Sequence, residues 1–183
     1  MIRLALIGSS EKAKIYAGLS TRLHRATWTV FAALDSGDVS KAFGSLAKVT
    51  TIDDLFSQKL DDFDAVVVDA DADVAERIAK EAMNLSKPAL VGMLGKGAET
   101  IGAGNVLLMP AHPWRFIPSI QAVRRSVDTG KLGAPGLLRI HRWLPLSKIK
   151  STTIERILPD IDLACWFFNE VPDSVWSLQS AVN

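Results

Sequence analysis

Apolar positions run almost unbroken from residue 2 to residue 7 (Ile-Arg-Leu-Ala-Leu-Ile) and stop at Gly8. A short apolar run closed by glycine predicts a strand buried on both faces of a parallel sheet. Over residues 12–23 the spacing becomes helical, with Ile15, Leu19 and Leu23 on one stripe and Ser9 or Ser10 placed to cap the first turn. Residues 28–34 return to a strand, closed by Asp35-Ser36-Gly37. Strand, tight turn, helix and strand in this order make a βαβ unit.

The alternation repeats. Residues 48–50 predict a short strand, residues 51–54 open a short helix, and Phe-Asp-Ala-Val-Val-Val at 63–68 is a β-branched strand. Asp73 and Glu76 stand at capping-box spacing ahead of a helix that turns Ala75, Ile78, Ala79, Ala82 and Met83 inward. Further apolar strands lie at 89–94 and 106–109, separated by the glycine-rich stretch 95–104 where a crossover helix is expected. The pattern predicts an α/β fold with a Rossmann-type doubly wound parallel sheet.

Beyond Met109 the character changes. Pro118 opens a helix with Ile120, Val123 and Val127 inward, ended by Gly130. Residues 137–144 read as a strand, with Leu138, Ile140 and Arg142 on one face and Arg139, His141 and Trp143 on the other. A helix follows Asp160, and residues 174–182 give a last strand. The boundary between Pro110 and Pro118 divides a nucleotide-binding-like domain (1–112) from a truncated α+β domain (113–183).

Composition narrows the function classes. The 183 residues are 48% hydrophobic and 22% charged, the profile of an ordinary globular protein. A net charge of +1 speaks against nucleic-acid or membrane binding by bulk electrostatics. No apolar run approaches the roughly 18 residues that span a bilayer, and no export signal follows the first strand, so a cytoplasmic location is expected. The single cysteine, Cys165, excludes an intramolecular disulfide, and its apolar surroundings read as those of a buried thiol. His24, His112 and His141 are too scattered for a metal triad, and no metal site is expected.

Four groups of residues are candidates for chemistry. A dinucleotide fingerprint needs glycines so that the backbone turns tightly and approaches a pyrophosphate. Here that frame reads Gly8-Ser9-Ser10-Glu11-Lys12-Ala13, with only the first glycine present. The turn is either a cofactor site built on Gly8, Ser9 and Ser10 or a turn without a ligand. Asp35 ends the second strand, where an acidic side chain takes an adenosine ribose diol and favours NAD over NADP; the alternative is a turn aspartate. Asp69, Asp71 and Asp73 alternate after the fourth strand, as cation ligands or as a helix cap with solvated neighbours. His112, Trp114 and Arg115 at the junction could line a cleft for a small polar ligand or pack an interface. Near the last helix, Asp160 is a further candidate for that cleft or else an N-cap, with Asp162 as its dipole partner.

With these residues laid out, the chain resembles the glucose–fructose oxidoreductase / inositol dehydrogenase (Gfo/Idh/MocA) family. The resemblance rests on the first βαβ from Ile2 to Asp35 and on the strand at 63–68. It rests also on Ala-His-Pro-Trp-Arg-Phe-Ile-Pro at 111–118, similar to the family's H-N-x-R-F-x-P, and on Pro-Asp-Ile-Asp-Leu-Ala-Cys-Trp at 159–166, similar to H-D-I-D-L-x-x-W. Gly-Lys-Leu-Gly-Ala-Pro-Gly at 130–136 is similar to its G-x-L-G-x-x-G turn. The resemblance implies an NAD-dependent oxidoreductase of sugar or polyol-like alcohols. Its departures fall on the chemistry: Met93 stands where the family has its lysine, Pro159 where it has its histidine, and Glu155 where an aspartate is usual. No catalytic residue is therefore assigned. The expectation is a short, non-catalytic relative, ligand-binding or oligomeric, with an NAD-dependent oxidoreductase that needs a partner subunit as the alternative. The short C-terminal sheet predicts a homodimer through strands 137–144 and 174–182.

Overall fold

The structure, a computed structural model, describes residues 1–35, 43–44, 48–92, 106–143, 153–176 and 178, with backbone alone for 153–156. The chain forms two compact units, Met1–Ala111 and His112–Asn183.

In the first unit, six parallel strands lie in the order β3-β2-β1-β4-β5-β6. They are β1 (Ile2–Gly8), β2 (Ala26–Ala33), β3 (Lys48–Thr50), β4 (Ala65–Asp69), β5 (Ala89–Val91) and β6 (Leu108–Pro110). Three helices cover them: α1 (Ser10–Gly18), α2 (Ile52–Gln58) and α3 (Ala72–Asn84). The strands carry apolar side chains to both faces. Ala5, Ile7, Val30, Val66 and Val68 pack with Leu55, Ile78 and Ala82 on one side. Leu6, Phe31 and Val67 pack with Ala13, Trp28 and Phe43 on the other. Each such large side chain, fully buried, contributes about 1.5–3 kcal/mol, which is why the central strands read as continuous apolar runs.

Two local expectations are corrected. Helix α1 ends at Gly18, and Ile15 and Leu19 point to solvent; Ala13, Tyr16 and Ala17 face the sheet instead. Small residues let the helix approach closely enough for Tyr16 to meet Trp28 edge-on, ring centroids 5.8 Å apart. At α3 the N-cap is Asp71, and Asp73 sits in the first turn, so the capping box does not form. Of the face of α3 expected to turn inward, Ala75, Ile78, Ala79 and Ala82 are buried and Met83 is half-buried. Residues 93–105, including Met93, lie outside the described residues.

The second unit holds a 3-10 turn at Pro113–Phe116 and two helices, α4 (Pro118–Asp128) and α5 (Thr153–Phe168). On α4, Ile120 and Val127 are half-buried, but Val123 is exposed. Helix α5 starts upstream of Asp160 and runs through Pro159, so Asp160 is not its N-cap. Burial of Leu163 and Phe167 one turn apart offsets the proline's cost of about 3 kcal/mol. Cys165 is half-buried rather than buried. Residues 137–143 pair with no strand among the described residues, because a strand without a neighbour has no ladder to join. Their exposure nevertheless alternates: Leu138, Ile140 and Arg142 are half-buried, while Leu137, Arg139, His141 and Trp143 are exposed. Residues 174–176 and 178 are likewise outside any strand, and the rest of 174–182 lies outside the described residues. Among the described residues, no helix is long and apolar enough to cross a membrane.

Candidate functional site

The winding of the sheet reverses between β1 and β4, whose carboxyl ends lie in register at Gly8 and Asp69. In open α/β sheets ligands bind outside the carboxyl ends of the strands at such a reversal. β2 ends alongside, with Ala33 opposite Gly8, and the Leu34 amide donates to the Gly8 carbonyl at 3.0 Å. That ladder bond carries Asp35 to the start of α1.

Ser9 is the N-cap of α1, and its hydroxyl accepts from the Lys12 amide at 3.4 Å. The next amide, Ser10 N–H, donates to both carboxylate oxygens of Asp35, at 3.2 and 3.1 Å. The Ser10 hydroxyl contacts the same carboxylate. The positive end of the helix thus already faces an anion, supplied by the chain itself. Gly8, Ser9, Ser10 and Asp35 are brought together here. Gly8 has a packing reason to be glycine: a Cβ there would stand 3.3 Å from the Asp69 carbonyl oxygen.

Asp69 accepts from the Tyr16 hydroxyl at 3.0 Å and pairs with Lys12 Nζ at 3.3 Å. Burial, then the charge of Asp69 and the hydrogen bond to it, push the Tyr16 phenol up to about 12. Asp69 therefore turns to α1 while Asp71 and Asp73 serve α3, and the three do not converge. Among the described residues, no group of three or more histidine, cysteine or carboxylate side chains is placed to hold a metal.

The second unit gathers another set. Arg115 grips Asp162 with both sides of its guanidinium, Nε to Oδ2 at 2.9 Å and Nη2 to Oδ1. His112 Nδ1 lies 2.9 Å from the same Oδ1. Arg142 donates to Asp160 Oδ2 at 2.6 Å and lies over the Trp114 ring, 4.8 Å from its centroid. Asp160 Oδ1 is buried without a hydrogen-bond partner among the described residues, an acceptor that wants a donor. Burial holds the His112 imidazole below its ordinary pKa; Asp162 opposes the shift and Arg115 reinforces it. With Nδ1–H directed at Asp162, Nε2 is the nitrogen left to accept a proton.

His112 and Arg115 therefore converge on Asp162, and Trp114 and Asp160 on Arg142. Asp162 is the hub of the first set and not the dipole partner that its place near a helix start suggested. Tyr16, Asp162 and Arg142 were missed as site residues. For Asp162 the available signal was Arg115, a cation in an apolar junction that needs a carboxylate. Pro159 lies within α5, and the side chain of Glu155 is outside the described residues.

Comparison with solved structures decides the fold. A provisionally assigned myo-inositol dehydrogenase from Sinorhizobium meliloti superposes with a TM-score of 0.74 at 22% identity, over 94% of this chain and 56% of that one. The myo-inositol dehydrogenase from Lactobacillus casei, in complex with NAD(H) and myo-inositol, gives 0.75 at 20% identity, over 92% and 55%. The scyllo-inositol dehydrogenase of the same organism, with bound NAD(H) and scyllo-inositol, gives 0.63 at 20% identity, over 73% and 42%. This chain has the fold of the inositol dehydrogenases. It spans just over half the length of the first two. At the level of sequence, no protein-family model and no curated protein matches it.

Proposed function

We propose that this protein is a Gfo/Idh/MocA relative that keeps a dinucleotide crevice and has given up the family's route of hydride transfer. Pro159 carries the reading. By resemblance it stands where the family has its histidine, and a pyrrolidine ring in a peptide bond neither accepts nor donates a proton. Met93, by the same resemblance, stands in place of the lysine and is equally inert.

NAD is the cofactor of this reading, with Gly8, Ser9 and Ser10 toward its pyrophosphate and Asp35 toward its adenosine ribose. The residues fit the group: the Ser10 amide is turned to take an anion, because it already takes the Asp35 carboxylate. An acidic side chain at the end of β2 favours NAD over NADP. NAD supplies hydride chemistry when bound; the chain's own part is to bind and orient it. A small ligand would meet His112, Trp114, Arg115 and Asp160, and a cytoplasmic location belongs to the same proposal.

The test is thermal unfolding with NAD and with NADP, followed by an assay for nicotinamide reduction with inositols and sugars. NAD at 100 times its dissociation constant stabilises the native state by about 2.7 kcal/mol. No shift at millimolar NAD or NADP rejects the cofactor. Reduced nicotinamide accumulating with any of the alcohols rejects the loss of catalysis.

A second reading, an NAD-dependent oxidoreductase of a sugar or polyol-like alcohol working with a partner subunit, is favoured by one contact. His112, its charged form disfavoured by burial and its Nδ1 directed at Asp162, keeps Nε2 as the nitrogen to take a proton. For assembly we propose a homodimer in which residues 137–143 pair across a twofold axis. Their alternating exposure supports it, as does Trp143, 93% exposed with no partner strand among the described residues. Light scattering that returns a monodisperse monomer rejects the dimer.

A further inference from the structure

We propose that Asp35 is a latch on the dinucleotide crevice, holding the Ser10 amide that a pyrophosphate would use. The inference rests on the dinucleotide reading above and adds a regulatory contact to it.

Two features of the first unit argue for the latch. Ser10 occupies the second glycine position of the fingerprint, where a bare backbone normally lets the pyrophosphate approach. Here that position carries a hydroxyl, and the hydroxyl reaches the same carboxylate that the amide reaches. Asp35 is thus held by backbone and side chain of one residue, a grip that glycine could not provide. The second feature is charge. A carboxylate on the amide repels a pyrophosphate as well as displacing it, so the two anions exclude one another.

Asp35 also has somewhere to go. A carboxylate at the end of β2 is the ordinary partner of an adenosine ribose diol. Binding would then be an exchange, in which Asp35 leaves Ser10 for the ribose and the pyrophosphate takes the vacated amide. The Ser10 hydroxyl adds to the cost of that exchange. Removing it weakens the closed arrangement and leaves both the amide and Asp35 in place for the ligand.

The test is calorimetric titration of the whole chain with NAD, comparing wild type with Ser10→Ala and Ser10→Gly, and competition by inorganic pyrophosphate in wild type and Asp35→Asn. A hydrogen bond to a charged acceptor predicts NAD binding tighter by about threefold to tenfold in either Ser10 variant. Pyrophosphate is expected to compete several-fold more strongly in Asp35→Asn, whose neutral amide no longer repels it. The two Ser10 variants differ in helix propensity, so a folding defect in one leaves the other to report. NAD binding unchanged or weakened in the Ser10 variants, with wild type still binding, overturns the latch and leaves the dinucleotide reading standing. Pyrophosphate competing equally in wild type and Asp35→Asn also overturns it. Failure of wild type and every variant to bind NAD overturns both together.

Discussion

Tyr16 on α1 donates its phenolic proton to Asp69 at the end of β4, 3.0 Å away. The bond ties the first helix to the strand across the sheet reversal, and Trp28 supports it from below by donating its indole N–H to the Tyr16 carbonyl at 3.2 Å. An aspartate that reads in sequence as part of an acidic run is, in the fold, a fastening for one helix.

That fastening has a direct optical signature. The chain contains a single tyrosine, so the phenolate absorbance reports Tyr16 alone. Its midpoint is expected at about 12 in the native protein and near the ordinary value of about 10 in denaturant. Because the native value is raised, the associated stability is complete below about pH 10 and is lost as pH climbs through the native midpoint. Asp69→Asn should lower the native midpoint without restoring the ordinary value, since burial is the larger cause. A native midpoint near 10 would show that the contact does not form.

Gly8→Ala probes the edge where β1 meets β4. The new methyl would stand 3.3 Å from the Asp69 carbonyl oxygen and 3.6 Å from Lys12 Cβ. Backbone yields poorly, so a loss of about 1–2 kcal/mol in denaturant unfolding is expected. A variant as stable as wild type would mean that the strands part easily there.

His112 should titrate below an ordinary histidine when followed by imidazole NMR, because burial disfavours its charged form. The stability tied to its neutral state is present above the ordinary value of about 6.5 and is lost as pH falls through the lower native value. Asp162→Asn removes the one influence that raises it and should depress it further. An upward move on that substitution would contradict the contact.

Asp162→Ala tests the hub of the second unit. The side chain is 12% exposed and meets Arg115 and His112. Its removal leaves a partly buried guanidinium without its carboxylate, at a cost of about 2–3 kcal/mol. Unfolding followed by tryptophan fluorescence should show the loss; an unchanged midpoint would make the pair a surface ornament.

The parts legible in sequence were those where one strand states its own environment. The runs at β1, β2 and β4 are apolar on both faces because helices cover both sides of the sheet. The face of α1 was misread because two of its three inward residues are Ala13 and Ala17, small side chains that periodicity of large ones overlooks, and the third is Tyr16. The alternation over 137–143 was visible, but a ladder needs a second strand that no local pattern names. Long-range polar contacts were the least legible. Nothing near Ser10 says that Asp35, 25 residues away, lies on its amide, and Arg115 calls for a carboxylate without naming Asp162, 47 residues on.

Pro159 divides α5 into a lead and a body. Lacking an N–H, it leaves the carbonyl of residue 155 without its helical donor, so the turn ahead of it is tied to the rest by fewer bonds. Among the described residues, the contacts that anchor the helix come after it: Asp160 and Asp162 with their arginines, then buried Leu163 and Phe167. Deuterium should therefore enter the amides before Pro159 well ahead of those beyond it, the lead opening and closing while the body holds. One continuous helix would then behave as two clocks, and substitutions in its first turn would change the faster one alone.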